Sequence, residues 1–418
     1  MHSNSQQPEK PDSSYDAIIV GGGIQGSGCA QALAARGFSV LLLEKNKLGT
    51  GTSRRSSKLI HGGLRYLETA QFTLVRKSLN ERALLCELAP ELVELKPFYL
   101  PIYKGYRVGP LKMWAGLALY SLLGSLRRDA RFKRVPKAQW ASLPGLKQQG
   151  LRCVYQYYDA QTDDQLLTRA VARSAQGLGA QICEAATFHK ATQADDGMVD
   201  VSYSQQAEPG DAAAGTQNVD LVARCKLLVN AAGPWVAAVQ EKMPFAMQGP
   251  DIALVQGAHI ELDKPISEGI FYVESPDDAR AVFIMPWQGR TMVGTTERRH
   301  QGDPADSRAS DDEVAYLQRT LLHYFPDYQG KLVDQWAGLR VLPQPELHAA
   351  AAKRPFSRQA RDTVVHCDND DAPRAISLYG GKLTAYRVTA RKVMRLASKT
   401  LGEGERDIDT DSLPLMRE

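Results

Sequence analysis

The sequence predicts an α/β protein in which a Rossmann-like dinucleotide-binding domain is joined to a second, mainly antiparallel α+β domain. Three observations lead there. A glycine-rich turn, Gly21-Gly22-Gly23-Ile24-Gln25-Gly26, separates the apolar run Ala17–Val20 from an Ala-rich helical stretch, Cys29–Arg36. A second apolar run, Phe38–Leu43, then delivers Glu44 about 20 residues after the turn, where a carboxylate can accept hydrogen bonds from the ribose hydroxyls of FAD or NAD. Between residues 240 and 335 the strand-like runs Ala258–Leu262, Ala281–Met285 and Thr291–Thr295 suggest an antiparallel sheet.

Residues 1–14 are polar, carry Pro8 and Pro11 and lack an apolar stretch, so they read as a disordered tail and not a signal peptide. In the turn, Gly21 permits the sharp bend, Gly23 lets backbone approach a pyrophosphate, and Gly26 lets helix and strand pack closely. The amides that open the helix at Ile24 supply an anion site. Further on, Thr168–Leu178 has helical spacing, Val199–Ser204 alternates like a strand, and Gln205–Gln217 reads as a surface loop. Leu227–Gly233 is a buried strand running into small residues, and a helix is expected over about Ala385–Thr400. There is no internal repeat.

Composition narrows the class. A chain of 418 residues, 43% of them hydrophobic, can bury a large core in two or three lobes. A net charge of +4 argues against nucleic acid as the partner of the whole chain. The six cysteines (Cys29, Cys86, Cys153, Cys183, Cys225 and Cys367) contain no C-x-x-C pair, which disfavours disulfides and thiolate metal sites and fits a reducing cytoplasm.

The block downstream of the turn selects a family. Residues 56–68, read SSKLIHGGLRYLE, resemble the signature of FAD-dependent glycerol-3-phosphate dehydrogenases and oxidases, within the D-amino-acid-oxidase-like flavoproteins. Five further blocks recur in family order: NAAGPW at 230–235, IMPW at 284–287, VGTTE at 293–297, GLRVLP at 338–343 and GGKLTAYR at 380–387. The resemblance spans about residues 15 to 400 and implies a Rossmann-like FAD-binding domain with an antiparallel α+β substrate domain. On that basis, segments 15–97, 151–239 and 336–402 form the discontinuous FAD-binding domain, and 98–150 with 240–335 the substrate domain.

The resemblance also implies site residues. FAD is expected to be held by Gly21, Gly23, Ile24, Gly26 and Glu44, and by Thr52, Ser53, Ser57, Lys58, Leu59, His61, Gly62 and Gly63. Ala232, Gly233 and Trp235, then Gly380, Gly381, Lys382, Leu383 and Thr384, complete that set. Arg65, Tyr66, Arg340 and Lys382 are the expected substrate ligands, with His61, Arg340 and Lys382 catalytic and no metal. Oxidising a secondary alcohol needs hydride removal, a base for the hydroxyl proton and cations for a substrate anion. Arg340 suits phosphate because its planar fork donates bidentately. His61 is either the proton acceptor or a histidine tied into the flavin loop, and Lys382 can equally stabilise negative charge on the reduced flavin. The implied reaction is FAD-dependent oxidation of sn-glycerol 3-phosphate to dihydroxyacetone phosphate, electrons passing to quinone. The alternative is the same fold acting on another hydroxy acid, phosphorylated alcohol or amine.

Two regions stand apart from these blocks. Met113–Gly124 is apolar but shorter than the about 20 residues a membrane span needs, and Arg127, Arg128, Arg131, Lys133, Arg134 and Lys137 come directly after it. It is either a core helix with a charged end or, as the resemblance implies, part of a segment (106–137) docked on anionic lipid, which would place the enzyme peripherally on the inner, cytoplasmic face of the cell membrane. Residues 403–418 are expected as a linker toward a C-terminal helical domain that longer relatives carry and this chain lacks, which leaves homodimerisation open. Departures from the family pattern are Arg54 and Arg55, two extra cations near the pyrophosphate or the site mouth, Glu297 for the usual Asp, and Ala385 for Thr.

Overall fold

The computed structural model describes residues 13–206, 218–245, 247, 249–266, 269–344 and 363–417. Two sheets organise them. The first has eight strands, five of them parallel in the order Ala375–Tyr379, Asn218–Asn230, Ser13–Val20, Val40–Leu43, Gln181–Cys183. Their central runs, Ala17–Val20, Val40–Leu43, Leu227–Asn230 and Ala375–Tyr379, are buried throughout because both faces of the sheet are covered. Helices Ile24–Ala35, Asp164–Gly177 and Tyr386–Leu401 cover one face through Cys29, Leu33, Ala172, Ala175, Val393 and Ala397. An antiparallel pair, Ala186–Gln193 and Val199–Gln206, supplies Phe188, Val201 and Tyr203 to the other.

The second sheet has ten strands and is mainly antiparallel, with one parallel contact between Ile270–Glu274 and Val93–Tyr103. Its runs Ile252–Leu262 and Ala281–Trp287 contain two of the strands expected from sequence, and Arg290–Gly294 covers the third except for Thr295. Helix Asp311–Tyr324, opened by a Ser310–Glu313 capping box, packs Leu317 and Leu321 against one face. Helices Phe72–Leu88 and Pro110–Leu123 cover the other through Leu79, Leu117 and Tyr120.

Several expectations change. The first strand begins at Ser13 and pairs Ser13 and Ser14 with Ala223 and Arg224, so these two residues are not tail; residues 1–12 lie outside those described. Residues 205 and 206 extend a strand, and the rest of the expected loop, 207–217, lies outside the described residues. The boundaries at 151 and 336 correct more substantially. Leu151–Thr162 pairs with Val93–Tyr103, and Leu332–Pro343 with Ile252–Leu262, so both belong to the second sheet, as does the short strand Leu59–Ile60. The first domain regains the chain at helix Asp164–Gly177 and at strands Val364–Cys367 and Ala375–Tyr379. A strand's alternation reports burial on its faces and not which sheet it joins.

The terminal segment is docked. Asp407 pairs with Arg36, the Ile408 amide donates to the Ala35 carbonyl, and Leu415 is 2% exposed among Leu85, Ala89 and Leu167. Among the described residues no helix is long and apolar enough to cross a membrane.

Candidate active site

A cavity of about 530 Å³ opens where the parallel strands end, at Val20, Leu43 and the turns after Asn230 and Tyr379. Open α/β sheets bind ligands outside the carboxyl ends of their strands, and this volume is within the range of cofactor sites. Its floor is the glycine turn. A Cβ at Gly21 (φ +110°) would stand 2.6 Å from the Ala231 carbonyl oxygen, and one at Gly26 would sit on the Gly21 carbonyl, so strand and helix meet over bare backbone. Glu44 closes one side: its Oε2 accepts the Gly22 amide at 2.7 Å and its Oε1 the Asn46 amide at 2.9 Å. Ser53 Oγ accepts the first helical amide, Ile24, at 2.9 Å. Asn230 shapes the opposite turn by donating to the Val236 carbonyl at 2.8 Å and accepting from the Ala232 amide at 3.2 Å. Lys45 lies 3.5 Å over the Trp235 ring at the rim. This lining, backbone amides at a helix start with a carboxylate about 20 residues on, fits a dinucleotide such as FAD.

The other half of the cavity is built from the second sheet and the loops that cross to it. Arg340 faces it from strand Leu332–Pro343, its Nη2 3.3 Å from Thr295 Oγ1 and its Nη1 3.6 Å from Glu297, which is itself paired with Arg280 at 2.8 Å. Lys382 stands 4.1 Å over the Tyr66 ring, and its carbonyl accepts from Gln25 Nε2 at 3.2 Å. His61 packs at 6.3 Å against Phe283 while its amide donates to Thr384 Oγ1 at 3.3 Å. Arg340, Lys382, His61 and Tyr66 therefore share a wall with the dinucleotide cradle. Such a wall can bind an anion and accept a proton.

Most of the expected site residues line this cavity; five do not. Gly26 acts behind the turn as described. Lys58 is buried in an ion pair with Asp164 at 2.6 Å and also donates to the Arg54 carbonyl, so it braces the loop from the rear. Gly62 and Gly63 are outside the lining: a Cβ at Gly62 would meet Tyr120 and Leu79, and one at Gly63 the Tyr66 ring. Arg65 is half-buried near Tyr272 and does not reach the lining. Of the two extra cations, Arg55 lines the cavity with its Nη1 3.4 Å from the Ser307 and Ala337 carbonyls, whereas Arg54 is exposed elsewhere.

One residue at the wall was not expected from the motifs. His259, 2% exposed, lies between Ser57, whose Oγ is 2.9 Å from its Nε2, and Trp336, stacked at 5.5 Å and 12°. Burial, reinforced by Arg340 and Lys58, drives its pKa down to about 3, so the ring is neutral. In sequence it is one histidine inside an apolar strand, where only the pairing with Ser57, 202 positions away, marks it.

This fold and lining define an FAD-dependent oxidoreductase: the chain belongs to the FAD dependent oxidoreductase family, whose model matches residues 16–387. Within it, the chain is similar to glycerol-3-phosphate dehydrogenases. One from Pseudomonas aeruginosa is 34% identical over 401 residues, 91% of this chain and 71% of that one, and one from Synechocystis is 32% identical over 405 residues, 93% and 70%. Among solved structures, a glycerol-3-phosphate dehydrogenase from Bacillus halodurans complexed with FAD superposes with a TM-score of 0.72 at 25% identity, covering 97% of this chain and 68% of that one. Glycine oxidase from Geobacillus kaustophilus shares the fold at a TM-score of 0.65 and 19% identity over 97% of this chain and 99% of that one. FAD is the cofactor of this chain.

Proposed function

We propose that the chain oxidises sn-glycerol 3-phosphate to dihydroxyacetone phosphate at FAD and delivers the electrons to a quinone, docked peripherally on the inner face of the cell membrane. The observation that carries the reading is a single cavity lined on one side by the dinucleotide turn and Glu44 and on the other by His61, Tyr66, Arg340 and Lys382. When bound, FAD supplies the two-electron acceptor for the hydride that leaves the alcohol carbon. Arg340 offers a planar fork to the substrate phosphate, with Lys382 as a second cation beside it. His61 takes the hydroxyl proton, and Arg65, set back from the cavity, contributes only longer-range attraction for the anion.

Helix Pro110–Leu123 supports the membrane part. It buries Leu117, Tyr120 and Ser121 but leaves Leu111 80%, Trp114 50% and Leu122 61% exposed, beside exposed Arg128, Arg131, Lys133 and Arg134. Apolar side chains flanked by cations are the composition of an interfacial segment and not of a core helix. Self-association as a homodimer belongs to the same proposal and is read by sedimentation.

The test is anaerobic bleaching of the bound flavin with glycerol 3-phosphate and with glycerol. Glycerol brings no phosphate to the cationic wall, which predicts fast reduction by the phosphate ester and poor reduction by the alcohol. Equal rates, or no reduction by either, would move the substrate to another hydroxy acid or amine. Reoxidation by a soluble quinone against dissolved oxygen then separates a dehydrogenase from an oxidase.

A further inference from the structure

Behind the cavity wall, on the side of the His61–Gly63 loop that faces the protein, lies a buried charged cluster that the reaction above does not use. Asp159, 1% exposed, accepts from the Gly62 amide at 3.3 Å, from Arg82 Nη1 at 2.9 Å and from Tyr120 Oη at 2.7 and 3.0 Å. Arg82, fully buried, also donates to the Tyr158 carbonyl at 2.8 Å and pairs with Asp129. Gly62 is pressed flat on this cluster, since a Cβ there would meet Tyr120 Oη and stand 2.6 Å from Leu79. From the cavity side, Thr384 Oγ1 accepts the neighbouring His61 amide. Two successive amides are thus fixed by opposite walls.

We propose that Asp159 is a positioning residue for the reaction: by holding the Gly62 amide it sets where the His61 side chain stands at the cavity wall. Stability alone does not account for such a group, because well-packed apolar residues commonly replace a buried ion pair without loss. A histidine displaced by about 1 Å from its productive position, by contrast, loses rate on the order of a hundredfold. The inference rests on His61 taking part in the reaction.

The test compares two variants of the FAD-loaded full chain in anaerobic flavin reduction by glycerol 3-phosphate, with flavin content, urea midpoint and the pH profile of the limiting reduction rate read alongside. Asp159→Asn keeps an acceptor for Gly62 and Arg82 on Oδ1 and presents its amide to Tyr120, so it should retain most of the rate. The double variant Arg82→Met/Asp159→Leu removes the hold without leaving the buried Arg82 charge facing an apolar residue. Asp129, which loses Arg82, keeps Arg127 at 3.5 Å, so the variant should keep flavin and fold, lose tenfold or more in limiting rate with little change in apparent substrate affinity, and shift its pH profile.

A double variant that is folded, flavin-loaded and as fast as the unmodified chain overturns the proposal. So does an Asp159→Asn chain as slow as the double variant, which would assign the role to charge and not to the amide contact. Should the double variant not fold, a normal rate and pH profile in Tyr120→Phe/Asp159→Ala would overturn it equally. Failure of the unmodified chain to be reduced at all would instead count against the substrate reading.

Discussion

Arg340 reaches the cavity already oriented by Thr295 and Glu297, and this makes its shape matter more than its charge. Arg340→Lys keeps the charge but gives up the planar fork, so one charge-assisted hydrogen bond, about 1.5–3 kcal/mol, is lost. Catalytic efficiency should fall roughly tenfold or more with flavin content unchanged, as read by anaerobic reduction rate against substrate concentration. His259 gives a second residue-level prediction, on stability. Its folded pKa of about 3 lies below the 6.5 of a free histidine, so above pH 6.5 neither state binds the proton and the stability is intact. As pH falls from 6.5 toward 3 only the unfolded chain is protonated, and stability drops by about 1.4 kcal/mol per unit. Between pH 7.5 and pH 5 the unmodified chain should lose about 2 kcal/mol more than His259→Asn, measured by urea unfolding; parallel losses would mean that the ring is solvated in the native state. Legibility in sequence divides along the same line. That Gly21 and Glu44 stand at one cavity could be read because the dinucleotide-binding turn imposes fixed spacings. His259 could not, since it meets Ser57 only through tertiary packing, nor could the turning of Lys58 toward Asp164, because a motif records which residues recur and not which way each points.

The proposed membrane interaction rests on one helix and its basic flank. Composition alone leaves Met113–Gly124 undecided between core and interface; the exposure of Leu111, Trp114 and Leu122 favours the interface. The basic flank is not uniform, however. Arg127 turns inward, donating to the Leu79 carbonyl at 3.1 Å and lying 3.5 Å from Asp129, so reversing it would damage the fold. Arg128, Arg131 and Arg134 are exposed and are the proper probes. Each cation near an anionic surface is worth about 1 kcal/mol, so changing all three to Glu should weaken liposome binding by on the order of a hundredfold or more. High salt should release the unmodified chain in the same way, while reduction of soluble acceptors persists. Cosedimentation with phosphatidylserine vesicles measures this, and salt-insensitive binding would count against the electrostatic part. The sheet assignments of Leu151–Thr162 and Leu332–Pro343 were illegible for a related reason: both strands leave one domain to pair in the other, and no local pattern marks a partner.

At the scale of the molecule, the two sheets are tied together by a segment that the sequence presented as a linker. The family resemblance led residues 403–418 to be expected as a linker, yet the segment closes over helices from three parts of the chain. Asp411 pairs with Arg387 and, at 2.8 Å, with Arg391, both of which also face Glu81 of helix Phe72–Leu88. Leu415 fills the gap between that helix and helix Asp164–Gly177, its amide donating to the Leu88 carbonyl at 2.7 Å. Arg387 is only 2% exposed, so without Asp411 it would rely more heavily on Glu81. A strap of this kind should contribute to global stability without touching the cavity. Leu415→Ala removes a buried side chain and is expected to cost about 2–3 kcal/mol, at the low end for core leucines because the site lies near the surface. Asp411→Asn should cost about 1–3 kcal/mol through the weakened pairing of Arg387. Both variants should bind flavin stoichiometrically and be reduced by substrate at the unmodified rate. Urea unfolding followed by flavin release reads the first quantity and stopped flow the second; unchanged midpoints would mean that the segment lies on the surface without holding the helices beneath it.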